Sequence, residues 1–256
     1  MKKKNIPHTT SPTSKKLLRN KLKHLFKTSP LETEDLLVNF GLFTRSSTFA
    51  KQLFLYEIYK NILNIPGNIH VYGVWWGQDL ALLYNLREVL EPHNVNRKVI
   101  GFDTFDGYRS MSKFDKKSDV INKDNYNTGQ KYLDYLHEIM TYHEAENSIG
   151  NIKKFEIIKG DLTSTIKEYG KRNKHEIVSL AYLDLAIYKP TLAVLSYLEK
   201  NLVKGGYIIM DQLNNNKYPG ETLALKESKL FNNCEFRNSK FLPDRTILKK
   251  IKWFLR

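Results

Sequence analysis

At 256 residues, with 41% hydrophobic side chains and 3 Trp, 15 Tyr and 13 Phe, the chain is long and apolar enough for one large folded domain with an appendage, which excludes a wholly disordered or low-complexity protein. Its net charge of +14 is unevenly placed: residues 1–31 carry nine bases (Lys2, Lys3, Lys4, Lys15, Lys16, Arg19, Lys21, Lys23, Lys27) and no acid, leaving 32 bases against 27 acids, or +5, elsewhere. No uninterrupted apolar run of about 18 residues occurs, no apolar stretch follows the basic start, and the lone Cys234 has no internal disulfide partner, so neither membrane spanning nor export is indicated and a cytoplasmic setting is expected.

The basic stretch, mixed with Ser, Thr and Pro, reads as a solvated arm open to phosphates, acidic lipid headgroups or an acidic protein face, with a partnerless tail as the plainer alternative. It lacks interleaved aromatics and any RNA-binding motif, so a nucleic-acid partner is not expected. Ser29-Pro30 before Glu32, Glu34 and Asp35 marks the start of a short helix to about Asn39, because Pro fits the first turn and acids favour its positive end. Phe49, Leu53, Tyr56 and Tyr59 then recur at helical spacing until Ile65-Pro66-Gly67 stops the run. Beyond it the pattern alternates: strands over 69–74, 98–102, 155–159, 177–183 and 207–210, helices over 78–90, 130–146 and 191–202, and 234–251 finishing the sheet. Ile247 to Phe254 reads equally as a final strand or an interfacial anchor. Residues 104–129, polar and long, read as a substrate lid. The organisation expected is a basic arm and short helix over 1–40 and one mostly parallel α/β domain over 41–256.

In an open parallel sheet, ligands bind beyond the carboxyl ends of the strands, so the residues leaving each strand carry the chemistry. The first strand leaves through Gly73-Val74-Trp75-Trp76-Gly77, a turn that brings backbone N–H groups near a ligand or serves packing alone; the GxGxxG spacing of dinucleotide sites is absent. The second leaves at Asp103, 26 residues after Gly77, where a carboxylate accepts from both hydroxyls of a ribose, and the two exits together suggest an adenosine-type ligand. The third leaves at Gly160-Asp161, suited to a base edge, and the fourth and fifth at Asp184 and Asp211. Helix capping accounts for any one aspartate but strains to account for four at successive strand ends. His143 shares a helix face with Leu133, Leu136 and Met140 at spacings of three and four, which turns it inward as a candidate base or a packed interior histidine; His137 is the weaker candidate. Trp75 and Trp76 either stack on a ligand or pack beside the strand.

Pro66-Gly67, Gly73 to Gln78, the run NRKVIGFDTFDG from Asn96 to Gly107, Lys159-Gly160-Asp161, Leu183-Asp184, Tyr188-Lys189-Pro190-Thr191, Asp211-Gln212-Leu213-Asn214 and Pro219-Gly220-Glu221-Thr222 resemble the TylF/MycF family of S-adenosylmethionine-dependent O-methyltransferases, over roughly residues 50 to 230. The resemblance implies a Rossmann-like class I methyltransferase fold, doubly wound with a helical N-terminal extension. It also implies action on a hydroxyl of a deoxysugar, nucleotide-sugar or glycan-type acceptor, commonly with Mg²⁺; whether the chain pairs as a homodimer is open at the level of sequence. By resemblance, Gly73, Val74 and Gly77 cradle the methionine part of the cofactor, Asp103 and Thr104 the ribose and Asp161 the adenine edge. Tyr188 and Glu221 meet the acceptor, and Asp184 and Asp211, with Gln212, face its hydroxyl or a metal. Such a role suits the chemistry, since an alcohol must lose its proton as it attacks a sulfonium methyl, to a base or with a metal's help. The +5 balance outside the arm favours a phosphate-bearing acceptor.

Three positions depart from the family pattern. Val71 stands where an acid precedes the first glycine by two, Ala186 replaces the second acid of Asp-x-Asp, and Gln212 replaces the second acid of the next pair. Gln212 keeps an amide oxygen and Ala186 offers nothing, so metal affinity falls or another base serves. A degenerate relative that binds without turnover is the alternative function, and the missing fingerprint disfavours an NAD-dependent oxidoreductase.

Overall fold

Strands β1 (Asn68–Tyr72), β2 (Val99–Asp103), β3 (Phe155–Lys159), β4 (Val178–Leu183), β5 (Leu202–Met210), β6 (Cys234–Asn238) and β7 (Thr246–Lys250) form one seven-stranded sheet in the order β3-β2-β1-β4-β5-β7-β6. The computed structural model describes residues 13–116, 121–122 and 125–251; Lys2, Lys3 and Lys4 of the arm and Lys252, Trp253 and Phe254 lie outside the described residues. Strands β1 to β5 pair in parallel, and β7 is inserted antiparallel between β5 and β6. A parallel strand covered on both faces reads as a continuous apolar run rather than an alternating one, and all six residues of β4, VSLAYL, are buried.

Two apolar layers cover the sheet. On one face α3 (Ser46–Ile62), α4 (Gln78–Leu90) and α5 (Gln130–Glu146) pack Phe54, Leu80 and Leu136 onto Ile69, Val71 and Val99. On the other, α6 (Leu162–Arg172), α7 (Tyr188–Asn201), α8 (Pro219–Glu227) and the short α9 (Leu230–Asn233) pack Ile166, Leu195 and Leu225 onto Ile100, Ala181 and Ile208. The chain winds outward from β1 to β3, then returns beside β1 as β4, so the order reverses between β1 and β4 and opens a crevice at their carboxyl ends.

The structure departs from the sequence reading in three places. The segment read as a solvated arm contains α1 (Thr13–Lys27), in which Leu18, Leu22, Leu25 and Phe26 fall on one stripe; Phe26 meets Phe40 and Phe43 edge-on at 6.3 and 5.0 Å, just beyond α2 (Thr33–Val38). The helix α6 went unread because its eleven residues are mostly polar, with only Leu162, Ile166 and Tyr169 buried. Strand β5 begins at Leu202 rather than 207, reached through a register shift against β4. Among the described residues no helix is long and apolar enough to cross a membrane.

Candidate active site

The exits of β1 to β5 surround a cavity of about 270 Å³ at the switch between β1 and β4. Gly73 makes the first wall: its φ is +89°, and a Cβ there would lie 2.2 Å from the carbonyl oxygen of Asp184, so only glycine lets β1 and β4 turn side by side. The Trp75 N–H then donates to Asp103 Oδ2 at 2.8 Å and the Phe105 N–H to Oδ1 at 2.7 Å, which fixes the carboxylate at the β2 exit and leaves further acceptor capacity on both oxygens. Burial raises the Asp103 carboxyl despite these donors. Thr104 lines the same wall and donates to the Gly107 carbonyl at 2.8 Å.

Asp161 is a helix cap that also lines the cavity: at the start of α6 its Oδ1 accepts from the Thr163 N–H at 2.9 Å. Partial burial pushes its carboxyl up, but hydrogen bonds from Ser110 and Thr163 and the nearby Lys189 ammonium overcome this and hold it below the usual carboxylate range.

At the β4 exit the Asp184 N–H donates to the Tyr72 carbonyl at 2.9 Å, while the side chain is exposed in the cavity; among the described residues no hydrogen bond or ion pair holds its carboxylate. Tyr108, Tyr126 and Tyr218 line the same space. Burial foremost, with the Asp184 carboxylate adding to it, raises all three phenols, Tyr126 to about 12, so they remain O–H donors. Tyr126 packs edge-on against Trp75 at 5.3 Å and Tyr108 at 5.4 Å. Trp75, Tyr126 and Ala186, which line the cavity, and the buried Phe105 next to Thr104 all have positive φ, between 50° and 63°.

Five expected residues lie elsewhere. Val74 is buried against Gly101, and Gly77 caps α4 beneath Leu136, whose Cδ1 a Cβ would approach to 2.5 Å; both shape the turn without lining the cavity. Tyr188 does not face the acceptor space: its hydroxyl bonds Glu227 and its N–H donates to Asp115 Oδ1 at 2.7 Å. Glu221 is fully buried and clamps two exits together, with Oε1 accepting from the Leu185 and Ala186 N–H groups at 3.1 and 2.9 Å and Oε2 from the Gln212 N–H at 3.0 Å. Burial lifts its carboxyl to about 7, against the pull of those donors. His143 faces inward but sits in the last turn of α5, about 20 Å along the axis from the end that borders the cavity. Burial lowers its imidazole, and its ring meets Tyr142 edge-on at 5.5 Å rather than lining the site. Val71 is likewise in the core.

At the β5 exit Asp211 is buried and ion-paired with Arg245, and Gln212 Nε2 donates to its other oxygen at 2.7 Å. Among the described residues no group of three His, Cys, Asp or Glu is gathered as metal ligands. The described part of the 104–129 loop lies on the β4 exit, where the buried Ile121 packs on Ala186 and Ile187. The sequence reading passed over Tyr108, Tyr126, Tyr218 and Arg245. Aromatics inside an otherwise polar loop were the available signal for the first two; Arg245 offered none.

No curated protein sequence matches the chain. The sequence model of the macrocin-O-methyltransferase (TylF) family matches residues 54–229. Among solved structures, CalS11, a calicheamicin methyltransferase, is 30% identical over 94% of each chain with a TM-score of 0.90. The apo structure of CalS11, a TDP-rhamnose 3'-O-methyltransferase of calicheamicin biosynthesis, is 29% identical over 94% of this chain and 96% of its own, with a TM-score of 0.82. The O-methyltransferase NovP, at 14% identity, 79% and 80% coverage and a TM-score of 0.62, shares the fold. The chain belongs to the macrocin-O-methyltransferase (TylF) family and is an O-methyltransferase that uses S-adenosylmethionine.

Proposed function

We propose that the chain methylates a hydroxyl of a sugar, as a deoxysugar, nucleotide sugar or glycan unit, and that Asp184 takes the hydroxyl proton. One observation carries this reading: a carboxylate without a protein partner among the described residues is exposed in a cavity walled by Trp75, Tyr108, Tyr126 and Tyr218. Aromatic faces pack on the apolar side of a sugar ring, and protonated phenols donate to its oxygens. The nucleotide-sugar acceptor of CalS11 supports the same acceptor class here, with its phosphates in keeping with the basic balance of the chain.

The residues at the first three exits fit the cofactor. Asp103, pinned by two N–H groups, accepts from the ribose hydroxyls, Asp161 presents an ionised oxygen to the adenine edge, and the bare backbone of Gly73 lets the methionine part lie close. Bound S-adenosylmethionine supplies an electrophilic methyl on a sulfonium. Asp184 accepts the proton from the acceptor hydroxyl as its oxygen attacks, and the three phenols steady the oxygens of the ring. Mg²⁺ does not fit the residues present: Asp211 is engaged by Arg245 and Gln212, and Ala186 has no donor.

A homodimer is part of the same reading. The exposed Leu17, Leu18 and Leu25 lie among the bases of α1, and the exposed Leu37 and Val38 follow Glu34 and Asp35 of α2, so a second copy offers charge as well as apolar complementarity. Sedimentation of the wild-type chain as a monomer alone would remove it.

The test of function is calorimetric titration of S-adenosylmethionine and S-adenosylhomocysteine, followed by mass spectrometry of TDP-rhamnose and related nucleotide sugars after incubation. Saturable cofactor binding weakened by Asp103→Ala, with a 14 Da gain on a sugar, is expected; the gain is the mass of one CH₂, roughly the increment of any single methylation. Absence of cofactor binding would sink the proposal.

A further inference from the structure

The sheet itself brings Asp211 and Arg245 together. Strand β7 runs antiparallel to β5 with Met210 opposite Thr246, so the residue after β5 and the residue before β7 meet at the end of the sheet, beside the cavity. The Arg245 guanidinium pairs with Asp211 Oδ1 and donates from Nε to the Tyr182 hydroxyl at 3.3 Å, while Gln212 Nε2 donates to Asp211 Oδ2 at 2.7 Å. Both carboxylate oxygens are engaged, with the side chains of Arg245 and Asp211 only 13% and 6% exposed. A divalent cation at this exit needs a near-octahedral set of oxygens and would stand beside a guanidinium that does not lose its proton. Positions 186 and 212, which flank these exits, hold a methyl group and an amide.

We infer that Arg245 is the resident cation of this site. It stands in for a divalent ion, neutralises Asp211 permanently and leaves Asp184 as the carboxylate available for the acceptor proton, so methyl transfer proceeds without Mg²⁺. Arg245 acts through Asp211 and is a positioning residue. The role of Asp184 rests on the proposed function; the exclusion of metal by Arg245 does not, and it is measured without any acceptor.

Mn²⁺ is the probe, titrated by calorimetry and by water-proton relaxation into the whole chain. Wild type, Arg245→Lys, Arg245→Gln and Arg245→Gln with Asp211→Asn are compared, each first shown to bind S-adenosylhomocysteine. Wild type and Arg245→Lys are expected to take up no Mn²⁺ saturably. Arg245→Gln gains about tenfold or more in affinity, a modest fraction of the repulsion between a guanidinium and an adjacent divalent ion in a mostly buried site, and adding Asp211→Asn removes the gain. Saturable Mn²⁺ binding by wild type that Asp211→Asn abolishes overturns the inference, as does an Arg245→Gln protein with an intact cofactor site and no gain. Should Arg245→Gln not fold, the wild-type titration decides alone, uptake counting against the inference and its absence for it.

Discussion

The exits of β4 and β5 lie side by side and each carries an aspartate, yet the neighbours have made them different groups. Asp184 is exposed in the cavity, with no hydrogen bond or ion pair on its carboxylate among the described residues, and protonated phenols share its space. Asp211 is buried, with one oxygen on Arg245 and the other on Gln212. A buried carboxylate paired with a guanidinium is a structural anchor; one left open beside a ligand is a base. The buried Glu221 holds the two exits in register from below, through the Leu185, Ala186 and Gln212 N–H groups.

That contrast is most exposed to a swap of the open carboxylate. Asp184→Asn is expected to lower kcat about 10²- to 10⁴-fold while S-adenosylhomocysteine affinity stays within a factor of about two. A variant that turned over within a few-fold of wild type would show that another group takes the proton. Asp211→Ala should act on stability instead, by about 1–3 kcal/mol in denaturant unfolding, because it leaves the mostly buried Arg245 guanidinium with only the exposed carboxylate of Asp244 as an ionic partner among the described residues. If Asp211→Ala unfolds at the wild-type midpoint, the ion pair is not an anchor.

The clamp beneath the two exits gives a smaller and pH-dependent effect. Glu221→Gln sets an amide N–H₂ against the Gln212 N–H and should cost about 1–3 kcal/mol. In the wild type the Glu221 carboxyl, lifted from 4.5 to about 7 chiefly by burial, binds its proton more tightly folded than unfolded. Its contribution is therefore complete below pH 4.5 and fades as pH rises through about 7; a stability profile across that window should slope downward in wild type and lose the slope in Glu221→Gln. Least of all, Tyr126→Phe removes one donor from the acceptor space, worth about 0.5–1.5 kcal/mol, seen as a raised acceptor KM at nearly constant kcat.

Much of the sheet was legible because its signals are local. Apolar runs of five or six residues, Gly73 at the first turn and an aspartate at each of four exits need only a few neighbouring residues to be read. Features decided at long range were not. The pairing of Asp211 with Arg245 depends on the antiparallel register of β5 and β7, and nothing around Asp244-Arg245 announces it. His143 shows a second limit: periodicity reports which way a helix side chain faces and is silent about its height along the axis, which here puts it at the wrong end of α5. Glu221 lay in a specific motif and close to the site, but only the fold shows that its three partners are backbone N–H groups rather than an acceptor. In α1 a block of like charge masked an apolar stripe that the helical period picks out.

Left-handed backbone at Trp75, Phe105, Tyr126 and Ala186 has one more consequence. Each such residue holds on the order of 1–2 kcal/mol that a relaxed chain would release; Trp75, Tyr126 and Ala186 line the cavity, and Phe105 is buried next in the chain to the cavity-lining Thr104. On heating, the rim should therefore loosen before the strands part, and methyl transfer should fail at a temperature where the sheet is still intact. A bound cofactor analogue that fills the cavity should narrow that gap, so heat inactivation and melting would converge only in the liganded protein.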